Sequence, residues 1–115
     1  MYSTVKCVVV GAAIALSAIA GTVSAQAIDA DAAQALAKKN DCFKCHSLDK
    51  DKKAPSYKKI AAKYKGKPDG EEKAIKNMTT APKVKLEDGT EEEHKIINTK
   101  DMAQIKNLAA WILSQ

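Results

Sequence analysis

Two cysteines and the histidine that directly follows them constrain this chain more than any other feature of its sequence. Residues 42–46 read Cys-Phe-Lys-Cys-His, so two residues separate the thiols and an imidazole follows the second thiol. At this spacing one helical turn presents both sulfurs on the same side, and the imidazole lies next to them. The motif therefore predicts that both sulfurs and the ring act together on one bound group.

Several kinds of site use cysteines at this spacing. A thioredoxin-type redox pair needs a strand-helix context and a larger α/β domain, neither of which the sequence indicates. A zinc site built from the motif and His94 would place two adjacent ligands on one ion, whereas finger-type sites put the histidines on another element. A disulfide between Cys42 and Cys45 closes too small a ring to stabilise much. The motif thus favours one covalently attached haem c, with thioethers from both cysteines and iron bound by His46.

The first residues have the composition of a secretory signal peptide. Lys6 precedes an apolar run from Val8 to Ala20, and small residues follow. The run is short for a membrane span, and polar residues resume at Gln26, so an uncleaved membrane anchor is the less favoured alternative. We predict a signal peptide over residues 1–25, a periplasmic mature domain over residues 26–115, and no stable membrane insertion after cleavage.

The spacing of apolar residues indicates an all-α domain, because they recur at three and four positions and no stretch alternates strictly. The predicted helices run from Asp29 or Asp31 to Asn40, along 57–64, over 71–77, and from Asn98 or Thr99 to the end of the chain. Residues 78–98 are predicted to form a long loop, and Met102 is placed on the apolar face of the last helix. Phe43 and Trp111 are the only Phe and Trp, so a buried cofactor would complete a core that is small for side chains alone.

Four segments give the chain a resemblance to class I cytochromes c, in particular to the small bacterial cytochrome c551 type. They are residues 42–46, 54–64, 75–77 and 108–113, which read CFKCH, APSYKKIAAKY, IKN and LAAWIL. The resemblance implies about four helices wrapped around one covalent haem, and a soluble electron carrier. It also implies that the Pro55 carbonyl accepts a hydrogen bond from His46 and that Trp111 belongs to the haem-binding residues.

The sixth iron ligand departs from the pattern of that family, which supplies a Met followed by Pro on the loop before the last helix. This chain contains no Met-Pro pair. Counting back from Trp111 places His94 at the corresponding position, whereas Met78 follows a helix end and Met102 belongs to the last helix. We therefore predict iron ligation by His46 and His94, and a lower reduction potential than in His/Met cytochromes.

Lysine is concentrated around the attachment motif. Residues 38–67 contain eleven Lys and three Asp, whereas residues 68–98 contain five Lys and eight acidic residues. The lysines near the motif would attract an acidic patch on a redox protein, although a solvated surface that only maintains solubility is an equal alternative. They are Lys44, Lys50, Lys52 and Lys53. The chain has no Arg and no basic stretch interleaved with aromatic residues, so nucleic-acid binding is not indicated.

The sequence favours a monomeric single-electron carrier that is not an enzyme, because an iron with six ligands leaves no position for a substrate. Two alternatives stay open at this point. A haem-based sensor of small gases would require His94 to be absent from the iron or easily displaced. A haem subunit of a larger oxidoreductase would require an exposed apolar patch or an obligate complex.

Overall fold

The computed structural model describes residues 27–115, so the predicted signal peptide lies outside the described residues and stays a prediction. Within them the helices are α1 (Ala30–Lys39), α2 (Tyr57–Tyr64), α3 (Gly70–Thr79) and α4 (Met102–Leu113). A 3₁₀ turn spans Cys42–Lys44, and two short strands, β1 (Lys83–Lys85) and β2 (Glu91–Glu93), precede α4. The predicted helical architecture is confirmed. Among residues 27–115 no helix has the length and apolar character needed to cross a membrane.

Polar side chains determine where three of the helices begin. Asp29, Ser56 and Asp101 each accept a hydrogen bond from a backbone N–H in the first turn of the helix that follows. Such caps satisfy N–H groups that have no partner within the helix. Because Asp101 supplies the cap of α4, the predicted start of this helix at Asn98 or Thr99 is wrong.

The core lies where α1, α2 and α3 pack against α4. Ala37, Leu108 and Ala109 have no solvent exposure, so small side chains let α1 and α4 approach closely while Leu108 fills the space between helices. Met102 is 46 % exposed, and its predicted place on the apolar face of the helix is wrong. Met102 is the first residue of α4, and its side chain lies outside this packed region.

Residues 78–98 contain a hairpin, whereas the sequence predicted one long loop. Met78 and Thr79 extend α3, and β1 then pairs antiparallel with β2, with Val84 opposite Glu92. Gly89 has φ +85°, in the left-handed region that favours glycine at such turns. The alternation in Lys-Val-Lys-Leu before Asp-Gly was the signal for this hairpin, but it spans too few residues to stand out in a helical chain.

The hairpin is attached to the segment that precedes α2. The backbone N–H of Glu87 donates to the Lys53 carbonyl at 3.1 Å, and the Lys53 ammonium lies 2.9 Å from the Glu92 carboxylate. Lys59 lies 3.5 Å from Glu87. Exposed ion pairs of this kind contribute little to stability, because water and salt screen them. The backbone bond and the burial of Leu86 therefore contribute most to the position of the hairpin.

Candidate haem site

The Cys-x-x-Cys-His motif forms one tight turn directly after α1. Asp41 enters it with φ 59°, a left-handed conformation that Asp tolerates better than most residues. The backbone N–H of His46 donates to the Cys42 carbonyl at 2.9 Å, which places the imidazole next to the turn that carries the thiols. Cys42 and Cys45 are half-buried and are not bonded to each other.

His46 is held by one hydrogen bond and one aromatic contact. Its Nδ1 donates to the Pro55 carbonyl at 2.6 Å, and its ring stacks on Tyr57 with centroids 5.2 Å apart. A carbonyl can only accept, so this bond keeps the proton on Nδ1 and leaves the Nε2 lone pair free for a metal. Burial lowers the pKa of His46, the neighbouring His94 lowers it further, and the bond to Pro55 opposes both. These effects favour the neutral imidazole, which is the form that binds iron.

His94 follows β2, and the base of the hairpin holds it. Its backbone N–H donates to the Pro82 carbonyl at 2.9 Å, and its Nδ1 donates to the Lys95 carbonyl at 2.9 Å. The ring centroids of His46 and His94 lie 6.2 Å apart. Two metal–nitrogen bonds of about 2 Å, plus the distance from each ring centre to its nitrogen, amount to roughly 6 Å. The spacing therefore matches one metal ion between two imidazoles.

Two adjoining cavities of about 850 and 350 Å³ are both lined by these histidines. The residues that line both cavities are mainly apolar: Cys42, His46, Ala54, Met78, Val84, Leu86 and His94. Among residues 27–115 no buried side-chain nitrogen or oxygen lacks a hydrogen-bond partner, and both histidines line both cavities. An apolar space with two thiols at its edge and two available imidazole nitrogens fits a covalently attached haem.

The alternatives to haem find little support in the described part of the chain. Residues 27–115 contain no group of three or more His, Cys, Asp or Glu side chains placed to bind a metal ion. Burial raises the pKa of the Cys42 thiol. Redox-active cysteine pairs have a lowered thiol pKa instead, so a thioredoxin-type role is also disfavoured.

The other predicted site residues lie at different distances from the cavities. Met78 is buried in the last turn of α3 and lines both cavities, whereas Met102 is not among their lining residues. Trp111 is buried but does not line these cavities either. Its ring meets Tyr57 edge to face at 5.5 Å, and Tyr57 in turn stacks on His46. Direct binding of the haem by Trp111 stays a prediction.

Asn40 is a site residue that the sequence analysis treated only as a helix end. It is buried, its side-chain amide donates to the Leu36 carbonyl at 2.9 Å, and its side-chain oxygen accepts from the Asn98 backbone N–H at 2.7 Å. It therefore joins the end of α1 to the segment that follows His94. The position of an Asn two residues before the motif was the only signal, and it is weak. Val84 and Leu86 of the hairpin were also missed.

A helical domain that presents both thiols of this turn to an apolar cavity is built like a c-type cytochrome, and comparison with known proteins agrees. The cytochrome c family model matches residues 30–115. The crystal structure of the class 1 cytochrome MtoD from Sideroxydans lithotrophicus ES-1 is 57% identical, with a TM-score of 0.73, over 76% of this chain and 97% of that chain. The chain therefore belongs to the cytochrome c family, as a class I c-type cytochrome with covalently attached haem c.

More distant relatives share the same fold. Wild-type cytochrome c552 of Nitrosomonas europaea is 31% identical, with a TM-score of 0.56, over 70% of this chain and 96% of that chain. A deletion mutant of that cytochrome gives 32% identity and a TM-score of 0.59 over the same shares. No curated protein matches significantly. Class I cytochromes are electron carriers that interact with redox partners and are generally not enzymes, which gives the coarse function of this chain.

Proposed function

We propose that this cytochrome is a periplasmic single-electron carrier, without enzymatic activity, whose haem iron is ligated by His46 and His94. The observation that carries the proposal is the 6.2 Å separation of the two imidazole rings. Each ring also has Nδ1 hydrogen-bonded to a carbonyl, which leaves Nε2 available. We assign the two thioethers to Cys42 and Cys45. An iron with two protein ligands transfers electrons without binding a substrate.

The reduction potential of such a site would be lower than that of a His/Met cytochrome. Exchange of a thioether for an imidazole stabilises ferric iron. The side chains of Glu92 and Glu93 line the smaller cavity, and negative charge near the iron acts in the same direction. Lys53, which pairs with Glu92 at 2.9 Å, offsets part of this effect.

The periplasmic location is supported by the signal-peptide composition of residues 1–25 and by the class, since class I c-type cytochromes of bacteria are typically periplasmic. We propose a monomeric mature protein that starts near Gln26. It would not be inserted in the membrane after cleavage.

Reaction with carbon monoxide distinguishes between the functions of an electron carrier and of a gas sensor. Because both axial positions of the iron are occupied in the proposed site, we expect the visible spectrum of the ferrous protein to stay the same after equilibration with carbon monoxide. The measurement is the Soret region before and after addition. Rapid formation of a carbon monoxide adduct in the unaltered protein would favour the gas-binding function and contradict a firmly six-coordinate carrier.

We also propose that lysines at the attachment edge bind an acidic patch of the redox partner. Lys44 lies within the motif, and its side chain is 75% exposed. The ammonium of Lys52 donates to the Phe43 carbonyl at 3.1 Å, so it lies against the same turn. Asp41 is 3.2 Å from Lys44 and neutralises part of this charge. Electrostatic attraction should therefore be moderate.

For this reason Lys44→Gln and Lys52→Gln should each slow electron exchange with an acidic redox protein only a few-fold at low ionic strength. The difference should fade as salt screens the charges. Stopped-flow rate constants measured across a range of salt concentrations test this expectation. Lys106→Gln, on the exposed side of α4, is the matched control, and an equal slowing in that variant would contradict local docking.

A further inference from the structure

The two cavities differ sharply in the charges at their rims. The smaller cavity is bordered by three lysines and three carboxylates, namely Lys44, Lys53, Lys95, Asp41, Glu92 and Glu93. The larger cavity is bordered by four lysines, and no Asp or Glu is among its lining residues. These lysines are Lys59, Lys63, Lys83 and Lys85. The rim of the larger cavity therefore carries an excess of positive charge.

Three of the four lysines lack an acidic partner within residues 27–115. Lys59 lies 2.9 Å from Asp51, whereas no carboxylate of the described residues lies within ion-pair distance of Lys63, Lys83 or Lys85.

In the hairpin, Lys83 and Lys85 each lie opposite a carboxylate and yet form no ion pair with it. Glu93 lies opposite Lys83, and Glu91 lies opposite Lys85. Cross-strand pairs of opposite charge normally attract each other. Both lysines nevertheless stand at the cavity rim without an ion pair to these neighbours. Several like charges around one apolar cavity repel each other, and an anion bound among them would reduce that repulsion.

A bound haem would supply such an anion. A haem carries its two vinyl groups and its two propionate carboxylates at opposite edges, and the thioethers fix the vinyl edge at the motif. Cys45 lines only the smaller cavity, while the larger cavity extends from Cys42 to α2, α3 and the hairpin. We infer that Lys83 and Lys85 of the hairpin, with Lys63 of α2, bind the haem propionates, an inference that rests on the haem attachment proposed above.

The assignment gives the hairpin a second role. It would hold His94 at its base and supply positive charge to the propionates from β1. An ammonium next to a carboxylate cancels negative charge close to the iron, and loss of that ammonium stabilises the ferric state. These lysines should therefore raise the reduction potential, in opposition to the imidazole ligand.

The test is the reduction potential of the holoprotein at fixed pH and salt. Lys83→Gln/Lys85→Gln should lower the potential clearly more than Lys65→Gln/Lys67→Gln. The control removes the same charge from exposed positions after α2 that do not line either cavity. Lys83→Arg/Lys85→Arg should keep the potential of the unaltered protein, because the charge is retained.

A second readout reports on the propionates themselves. Haem labelled with heavy carbon at the carboxyls, made from labelled δ-aminolaevulinate, identifies their stretching band in the infrared difference spectrum between oxidation states. This band should shift in Lys83→Gln/Lys85→Gln and stay unchanged in the control and Arg variants. A potential and a band equal to those of the control would overturn the propionate site, yet an intact covalent haem in all variants would leave the electron-carrier function standing. If the potential and the band equal those of the control but Lys83→Gln/Lys85→Gln reacts more slowly with an acidic redox protein, these lysines serve in docking instead.

Discussion

Replacement of His94 by Ala is expected to convert a six-coordinate haem that excludes carbon monoxide into one that binds it readily. The variant removes the imidazole whose ring centre lies 6.2 Å from that of His46, and no other imidazole is present in residues 27–115. Added free imidazole should restore the original spectrum, because it can occupy the vacated position. The visible spectrum of the ferrous protein, with carbon monoxide and then with imidazole, gives the result.

The two methionines provide the controls for this prediction. Met78 is buried, so Met78→Ala would cost about 2–5 kcal/mol of stability. Met78→Leu removes the sulfur and keeps the volume, at a cost below about 1.5 kcal/mol. Met78→Leu and Met102→Leu should leave the spectrum and the exclusion of carbon monoxide unchanged. A sulfur-to-iron charge-transfer band in the ferric protein, abolished by either substitution, would move the sixth ligand to that methionine and leave the electron-carrier function intact.

Replacement of both Cys42 and Cys45 by Ala should abolish covalent retention of the haem. Thioethers survive denaturation, whereas a haem held only by axial ligands and apolar contacts is extracted into acidic organic solvent. The unaltered protein should keep its haem completely, and the double variant should lose essentially all of it. Absorbance of the protein fraction after extraction measures the difference. Because the mature domain is small, the extracted variant should also lose most of its helical circular dichroism.

The single variants Cys42→Ala and Cys45→Ala should each keep one thioether. Lys44→Ala, which alters the motif but keeps both thiols, should retain the haem like the unaltered protein. Intact mass of the denatured, unaltered protein should correspond to a chain that starts near Gln26 with one haem added. Haem retained by the double variant would refute thioether attachment, and a mass that includes Met1 would favour a membrane anchor.

The parts of the fold that the sequence predicted correctly depend on short-range patterns. The Cys-x-x-Cys-His motif carries its chemistry within five residues, and the N-cap of α1 is Asp29, one of the two predicted caps. The predicted start of α4 is wrong because several residues that can cap a helix precede it, and Asp101 is the one that accepts from the N–H groups of the first turn. The hairpin was missed because each strand has three residues and is stabilised by contacts outside its own sequence.

In the haem site, too, features set by short-range patterns or by family resemblance were predicted, and features set by contacts distant in sequence were not. The hydrogen bond from His46 to Pro55 was expected from family resemblance, and the structure contains it at 2.6 Å. The spacing between His46 and His94 could not be predicted, since it depends on how the hairpin packs. Asn40 acts through a contact with Asn98, 58 positions along the chain. The local sequence gives only the weak signal of an Asn close to the motif, and not its partner.

The attachment of the hairpin to the segment before α2 bears on the speed of electron transfer. The backbone bond from Glu87 to Lys53 connects the segment that leads to His94 with the segment that carries Pro55, the hydrogen-bond partner of His46. This bond thus joins the two segments that position the proposed iron ligands. Their separation should change little when the iron gains or loses an electron. A small nuclear rearrangement means a low reorganisation energy, which allows fast transfer between partners whose potentials differ only slightly.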